Sequence, residues 1–225
     1  MTEDINLWTS PEHAQRYLEI AYQIPRRQEG EASLLECVPA ATRRLLDLGS
    51  GEGRLIGMLL ERLPDASGVA LDFSPTMLDR LHTRFDSDPR VGIVAHDLSQ
   101  PLPELGHFDA VVSSFAIHHL PDARKQALYE EIHARLVPGG VFLNLEHVAS
   151  ATPALHQWFL AALDVAPDQD DPSNKLAPVE TQLQWLREIG FDQVDCHWKW
   201  RELALLAGVK RGSHQGSRPD PSPRR

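Results

Sequence analysis

The chain has 225 residues, enough for one compact domain with a real core, and its 42% apolar and 24% charged content is that of an ordinary globular protein. Lys and Arg number 22 against 32 Asp and Glu, a formal charge of −10 that disfavours nucleic-acid backbones and anionic lipid as partners. Cys37 and Cys196 are too few for a disulfide framework and sit in no metal-binding spacing, so both are expected as small buried residues of a protein in a reducing cytoplasm.

In chain order, Tyr17, Ile20, Ala21 and Ile24 form a helical stripe, and residues 1–42 are expected as a helical cap over the rest. Acidic Glu3, Asp4, Glu12 and Glu19 stand where a secretory signal would be apolar. No apolar run reaches the roughly 18 residues of a membrane helix, and no fixed-period repeat is present. Arg44 to Leu48 reads as a buried strand, and Leu55, Ile56, Leu59, Leu60 and Leu63 then share one helical face. Ser67 to Leu71 is the next strand. Ser74 and Pro75 cap a helix that Met77, Leu78, Leu81 and Phe85 continue. Val91 to Ala95 and Phe108 to Ser113 are further strands. A helix over 122–136 follows, stopped by Pro138-Gly139-Gly140 ahead of a fifth strand from Val141 to Leu145. This rhythm predicts an α/β fold in which a parallel sheet is covered on both faces, its ligand crevice at the carboxyl ends of the strands.

After residue 150 the pattern changes to two helices, over 152–165 and 178–189, separated by an acidic loop at 168–172. Val194 to Trp198 and Leu203 to Leu206 are expected to close the sheet as an antiparallel hairpin. The domain is bounded at 43–208, and 209–225 is read as a disordered tail whose five basic residues and one acid give +4, leaving −14 on the rest. Trp198-Lys199-Trp200-Arg201 reads as alternating faces of the hairpin, and Trp158 and Trp185 as packing residues.

The chemistry concentrates in Asp47-Leu48-Gly49-Ser50-Gly51-Glu52-Gly53, an apolar strand running through three alternate glycines into a helix. Glycines there let the backbone turn tightly and approach a ligand, and the helix start offers free N–H groups. Arg54 occupies the place where a dinucleotide fingerprint needs Gly or Ala, which speaks against a nicotinamide dehydrogenase, and no P-loop lysine follows. An acid beside the loop suits a cationic ligand. No His-Glu-x-x-His, no cysteine pair and no Gly-x-Ser-x-Gly elbow is present, so neither a metal site nor a hydrolase nucleophile is expected.

The Asp47–Gly53 segment resembles the first motif of the class I S-adenosylmethionine-dependent methyltransferases, and the resemblance extends over about residues 43 to 147. Ala70 to Leu78 is similar to the second motif, Ala95-His96-Asp97-Leu98 to the third, and Phe108 to Leu120 to the fourth. Leu136 to Gly140 matches the turn before the fifth strand. The resemblance implies a Rossmann-like fold with a mixed seven-stranded sheet and S-adenosylmethionine as cofactor. Asp47 would lie near its amino-acid end, Asp72 on the ribose hydroxyls, and Asp97 and Leu98 at the adenine. Gly49, Ser50, Gly51, Phe73, Met77, Ser113 and Ser114 would complete the cofactor site.

A sulfonium methyl transfers in line without a covalent enzyme intermediate, so a base is needed only when the acceptor must lose a proton. His118, His119, Glu146 and His147 stand at strand ends, and His118 and Glu146 rank first because strands four and five flank the methyl in this family. The acceptor is expected to be a small molecule. The nucleic-acid-modifying Asn-Pro-Pro-Tyr, Asp-Pro-Pro-Tyr and Pro-Cys signatures are missing. Alternatives are an RNA-directed or cofactor-modifying enzyme of the same fold, serving wobble-base chemistry, and a catalytically silent cofactor-binding module.

Overall fold

The structure is a computed structural model that describes residues 23–212 together with Ser10 and Glu12. Tyr17, Ile20 and Ala21 of the expected cap, and residues 213–225 of the tail, lie outside the described residues.

Seven strands form one sheet in the order β3-β2-β1-β4-β5-β7-β6. They are β1 (Arg44–Leu48), β2 (Ser67–Asp72), β3 (Val91–Ala95), β4 (Phe108–Ser114), β5 (Leu136–His147), β6 (Phe191–Trp200) and β7 (Leu203–Lys210). The helices are α1 (Arg27–Cys37), α2 (Arg54–Arg62), α3 (Pro75–Phe85), α4 (Asp122–Arg135), α5 (Pro153–Ala162) and α6 (Val179–Ile189). β1 to β5 pair in parallel, and β7 runs antiparallel to both β5 and β6. The mixed seven-stranded sheet with its terminal hairpin is therefore as read from the sequence.

Alternation along the strands sorts the core into two layers. Leu45, Val112, Leu143 and Leu145 face one layer with Leu34 of α1 and Ile56 and Leu59 of α2. Leu46, Leu48, Val111 and Phe142 face the other with Tyr129 and Ile132 of α4 and Leu186 of α6. Ile24 packs against the first layer just ahead of α1. α1 lies close on the sheet because Gly30 has no Cβ: one there would stand 2.8 Å from Leu145 and 2.9 Å from Trp198.

Several boundaries differ from expectation. Pro138, Gly139 and Gly140 do not separate α4 from β5. β5 begins at Leu136 and carries them within it, its pairing with β4 slipping between Phe108 and Ala110. β6 starts at Phe191 and β7 runs to Lys210, past the boundary set at 208. Lys210 Nζ donates to the Leu136 carbonyl at 2.8 Å and Arg211 pairs with Asp192 at 2.9 Å, so two of the five basic tail charges belong to the folded body. Cys37 and Cys196 are half-buried and unpaired in a disulfide, their thiols pushed up by burial. The hairpin residues alternate as expected, but Trp158 is 56% exposed, with Arg201 lying 3.7 Å over its ring.

Candidate active site

The chain leaves β1 at the point where the sheet order reverses: β2 and β3 build to one side, β4 and β5 to the other. Such a switch point opens a crevice at the carboxyl ends of the strands. The glycine loop fills it. Gly49, Gly51 and Gly53 all have left-handed backbones, at φ 64°, 56° and 79°. A Cβ on Gly49 would stand 2.2 Å from that of Ala116, whereas one on Gly51 would project into open space, the cradle a ligand needs. The loop is held by Ser50 N–H on the Leu71 carbonyl at 2.8 Å and Ser50 Oγ on the Asp47 carbonyl at 2.9 Å.

Asp72, at the end of β2, accepts the Gly51 N–H at 2.8 Å on one oxygen and the Ser74 N–H at 2.9 Å on the other. Burial raises its pKa against the pull of those amides. This loop-holding role has no sequence signature. Ser74 does occupy the α3 N-cap, but its side chain makes no cap bond; its own N–H is held by Asp72.

Asp47 is 1% exposed and neither carboxylate oxygen has a hydrogen-bond partner. Burial pushes its pKa up to about 7, with the neighbouring Asp72 adding to the rise; Ser50 and the Ile56 amide lie near enough to oppose it but not in hydrogen-bond geometry to either oxygen. A buried carboxylate without donors is costly unless something brings charge or hydrogen bonds to it. That orphaned acid, the Gly51 opening and the Asp72 carboxylate fit the cationic, hydroxyl-bearing cofactor that the sequence motifs imply.

The other expected cofactor residues divide. Asp97 is half-buried and caps the Ser99 N–H at 2.8 Å; Leu98 is buried and its carbonyl takes the Arg124 guanidinium at 2.8 Å. Phe73 is half-buried and Met77 buried in α3. Ser113 is spent on the sheet, its hydroxyl donating to the Leu48 carbonyl at 2.9 Å. Ser114 Oγ is buried without a partner. Phe115, which follows, has a left-handed φ of 55°, a strained backbone at the end of β4 of the sort functional sites tolerate.

Arg54 has a structural role here. Its guanidinium reaches Glu31 of α1 at 2.9 and 2.7 Å, and Arg27 reaches the same carboxylate at 2.8 Å. Burial opposes ionisation of Glu31, but Arg54 and Arg27 outweigh it and hold the carboxyl below its ordinary range. This ion triad fastens α1 to the start of α2, directly behind the glycine loop. Glu31→Gln should cost about 3 kcal/mol of stability, read as a lowered melting temperature at neutral pH, because two guanidinium groups lose their counter-charge.

The catalytic candidates meet. A single 3₁₀ turn, Ile117–His119, follows β4 and directs His118 onto the end of β5, where His118 Nδ1 lies 2.7 Å from Glu146 Oε1. Both side chains are buried. Burial drives Glu146 up to about 7, with its own strand's amide at His147 and the Asn144 side chain opposing. Burial, and then His147, hold His118 well below its usual range, so it stays neutral. His119 is lowered to about 3 by burial and by its neighbour His118; its Nδ1 lies 3.0 Å from Ser173 Oγ. The His147 ring stands edge-on to His118 with centroids 5.6 Å apart, and its Nε2 lies 2.9 Å from Glu202. Among the described residues, no group of histidines, cysteines and carboxylates is arranged to hold a metal ion.

Sequence reasoning missed the groups behind this pair. Asn144 donates to Glu146 at 3.3 Å and to Tyr129 at 3.2 Å, and Tyr129 donates to Gln182 at 2.7 Å. Asn144 lies two residues before Glu146 on one face of an apolar strand, a period-two polar pair that could have been read. Glu202, Gln182 and Lys125 join from distant elements and carry no local signal.

Comparison with known proteins bears on the family and the fold. A family described as "Methyltransferase domain" matches residues 45–140. An uncharacterised methyltransferase of Mycobacterium tuberculosis is 35% identical over 134 residues, covering 59% of this chain and 64% of that protein. A carboxy-S-adenosyl-L-methionine synthase of Desulforapulum autotrophicum is 30% identical over 185 residues, covering 74% of each. An O-methyltransferase family protein from Burkholderia thailandensis superposes with a TM-score of 0.73 at 20% identity, over 92% of this chain and 62% of that one. The chain thus spans a little under two thirds of the mycobacterial and Burkholderia proteins. The chain belongs to the class I S-adenosylmethionine-dependent methyltransferase family.

Proposed function

We propose that this protein transfers a methyl group from S-adenosylmethionine to an oxygen or nitrogen of a small molecule, with His118 as general base and Glu146 as the residue that orients it. The 2.7 Å bond between His118, in the turn after β4, and Glu146, on the adjacent β5, carries this reading. The cofactor supplies an electrophilic methyl; the chain supplies position, a water-poor pocket and a proton acceptor. Asp47, Gly49, Ser50, Gly51, Asp72, Phe73, Met77, Asp97, Leu98 and Ser114 would hold the cofactor, with Ser113 keeping β4 against β1. With Glu146 ionised, the His118 Nδ1–H donates to it, which leaves Nε2 as the free acceptor for an acceptor hydroxyl or ammonium proton. The net charge of −10 supports a small molecule over RNA. A soluble cytoplasmic location fits the composition, and no helix among the described residues is long and apolar enough to cross a membrane.

The carboxy-S-adenosyl-L-methionine synthase relative favours a second reading, in which the cofactor itself is the molecule modified. One experiment separates the two. Incubation with S-adenosylmethionine and a metabolite extract should give an acceptor heavier by one methyl, together with S-adenosylhomocysteine. A cofactor heavier by one carboxyl group, with no methylated acceptor, would establish the second reading instead. Binding of S-adenosylmethionine with neither product would leave a silent binding module.

A further inference from the structure

We propose that Lys125 is a positioning residue for the His118–Glu146 pair: its ammonium, buried behind the pair, holds the loop that fixes the His118 backbone and places a positive charge among the groups around the carboxyl. Lys125 sits on the first turn of α4 and is 1% exposed, rare burial for a lysine. Its Nζ donates to the Lys175 carbonyl and, at 2.9 Å, to Asp122 Oδ1. The Lys175 N–H in turn donates to the His118 carbonyl at 2.9 Å. The ammonium therefore anchors the segment that fixes the backbone of His118.

Anchoring alone does not call for a charge. A neutral donor would hold one carbonyl at lower desolvation cost. Asp122 is more than half exposed and offers little compensation, whereas Glu146 is fully buried. Lys125 favours ionised Glu146 and opposes protonated His118, the state a general base needs at rest. The other groups around the pair are accounted for. Tyr129 on α4 is a neutral phenol, pushed well up by burial. His119 shares the turn with His118, and His147, on β5, is backed by Glu202 from the β6–β7 turn. Asp171 on the loop favours protonated His118, opposite in sign to Lys125. Burial and then His147 hold His118 neutral against Asp171, and Lys125 adds to them from the side of α4.

The kinetic side of this inference rests on the base assignment above; the electrostatic side does not. Lys125→Gln keeps a donor for the Lys175 carbonyl and removes the charge, while Lys125→Met removes both. Two readouts apply: ring-nitrogen chemical shifts of His118 in ¹⁵N-histidine-labelled protein without cofactor, and the pH dependence of kcat. In Lys125→Gln both the His118 titration and the acid limb of kcat should move up by about half a pH unit or more, with cofactor affinity unchanged. Lys125→Met should show the same shift with a lower melting temperature. An unshifted ring titration in folded Lys125→Gln overturns the proposal. Lys125→Arg, which keeps the charge, should leave the titration at its wild-type position, and a shift there also overturns it. If the ring titration moves in Lys125→Gln while His118→Ala keeps full activity, the base assignment falls and the electrostatic role of Lys125 stands.

Discussion

Asp72→Ala should weaken S-adenosylmethionine binding by at least about 10²-fold in calorimetry. The carboxylate already accepts one backbone N–H on each oxygen, from Gly51 and Ser74, and its pKa is raised by burial. Each oxygen keeps an acceptor site, so two ribose hydroxyls can complete the shell. Hydrogen bonds to a charged group are worth about 1.5–3 kcal/mol each, against about 1 kcal/mol for neutral pairs. Alanine would lose the ribose contacts and also release Gly51, whose open left-handed backbone forms the floor of the cradle. Asp72→Asn separates these roles. It keeps one acceptor for a backbone amide and loses the charge, so a smaller drop of about 10-fold is expected. Unchanged affinity in Asp72→Ala would mean that the cofactor does not lie across the end of β2.

Most of this site was legible because its signals are local. Asp47, the three glycines, Asp72 and Asp97 each stand at a strand end or turn, where a few consecutive residues determine both backbone and chemistry. The five parallel strands were legible for the same reason, as short apolar runs bounded by Gly, Pro and Asp. What escaped depends on distant partners. Leu136 to Gly140 reads as a helix stop, yet pairing with β4 draws it into β5, with a slip that accommodates the proline. Lys210 looks like tail because its neighbours are polar, but it sits in a β7 that pairs with β5 and β6 on both edges. Arg54 spoke only against a dinucleotide; that it is the far end of a buried triad with Glu31 and Arg27 appears only once α1 is laid beside α2. Tertiary ion pairs of this kind leave no periodicity to read.

His118 and Glu146 were legible as candidates but not as a pair, since 28 residues separate them and only adjacent parallel pairing of β4 with β5 brings them together. His118→Ala should lower kcat by about 10²–10⁴-fold with little change in cofactor affinity, the range expected for loss of a general base. Glu146→Gln should lower it less, since the amide oxygen still accepts from Nδ1–H but no longer stabilises the imidazolium formed when Nε2 takes a proton. Wild-type kcat should rise with pH through about 7, as Glu146 loses its proton. Stability should run the other way. Below pH 4.5, the ordinary value of the carboxyl, Glu146 is protonated in the folded and unfolded chain alike, and Glu146→Gln should leave stability unchanged. From there to about 7 only the folded chain holds the proton, so the wild type loses stability as pH rises. At pH 8 Glu146→Gln should therefore be more stable by about 1–3 kcal/mol in urea titrations, and also much less active. A variant equally stable at both pH values would mean that Glu146 is solvated in solution, and the buried pair would then lose its basis.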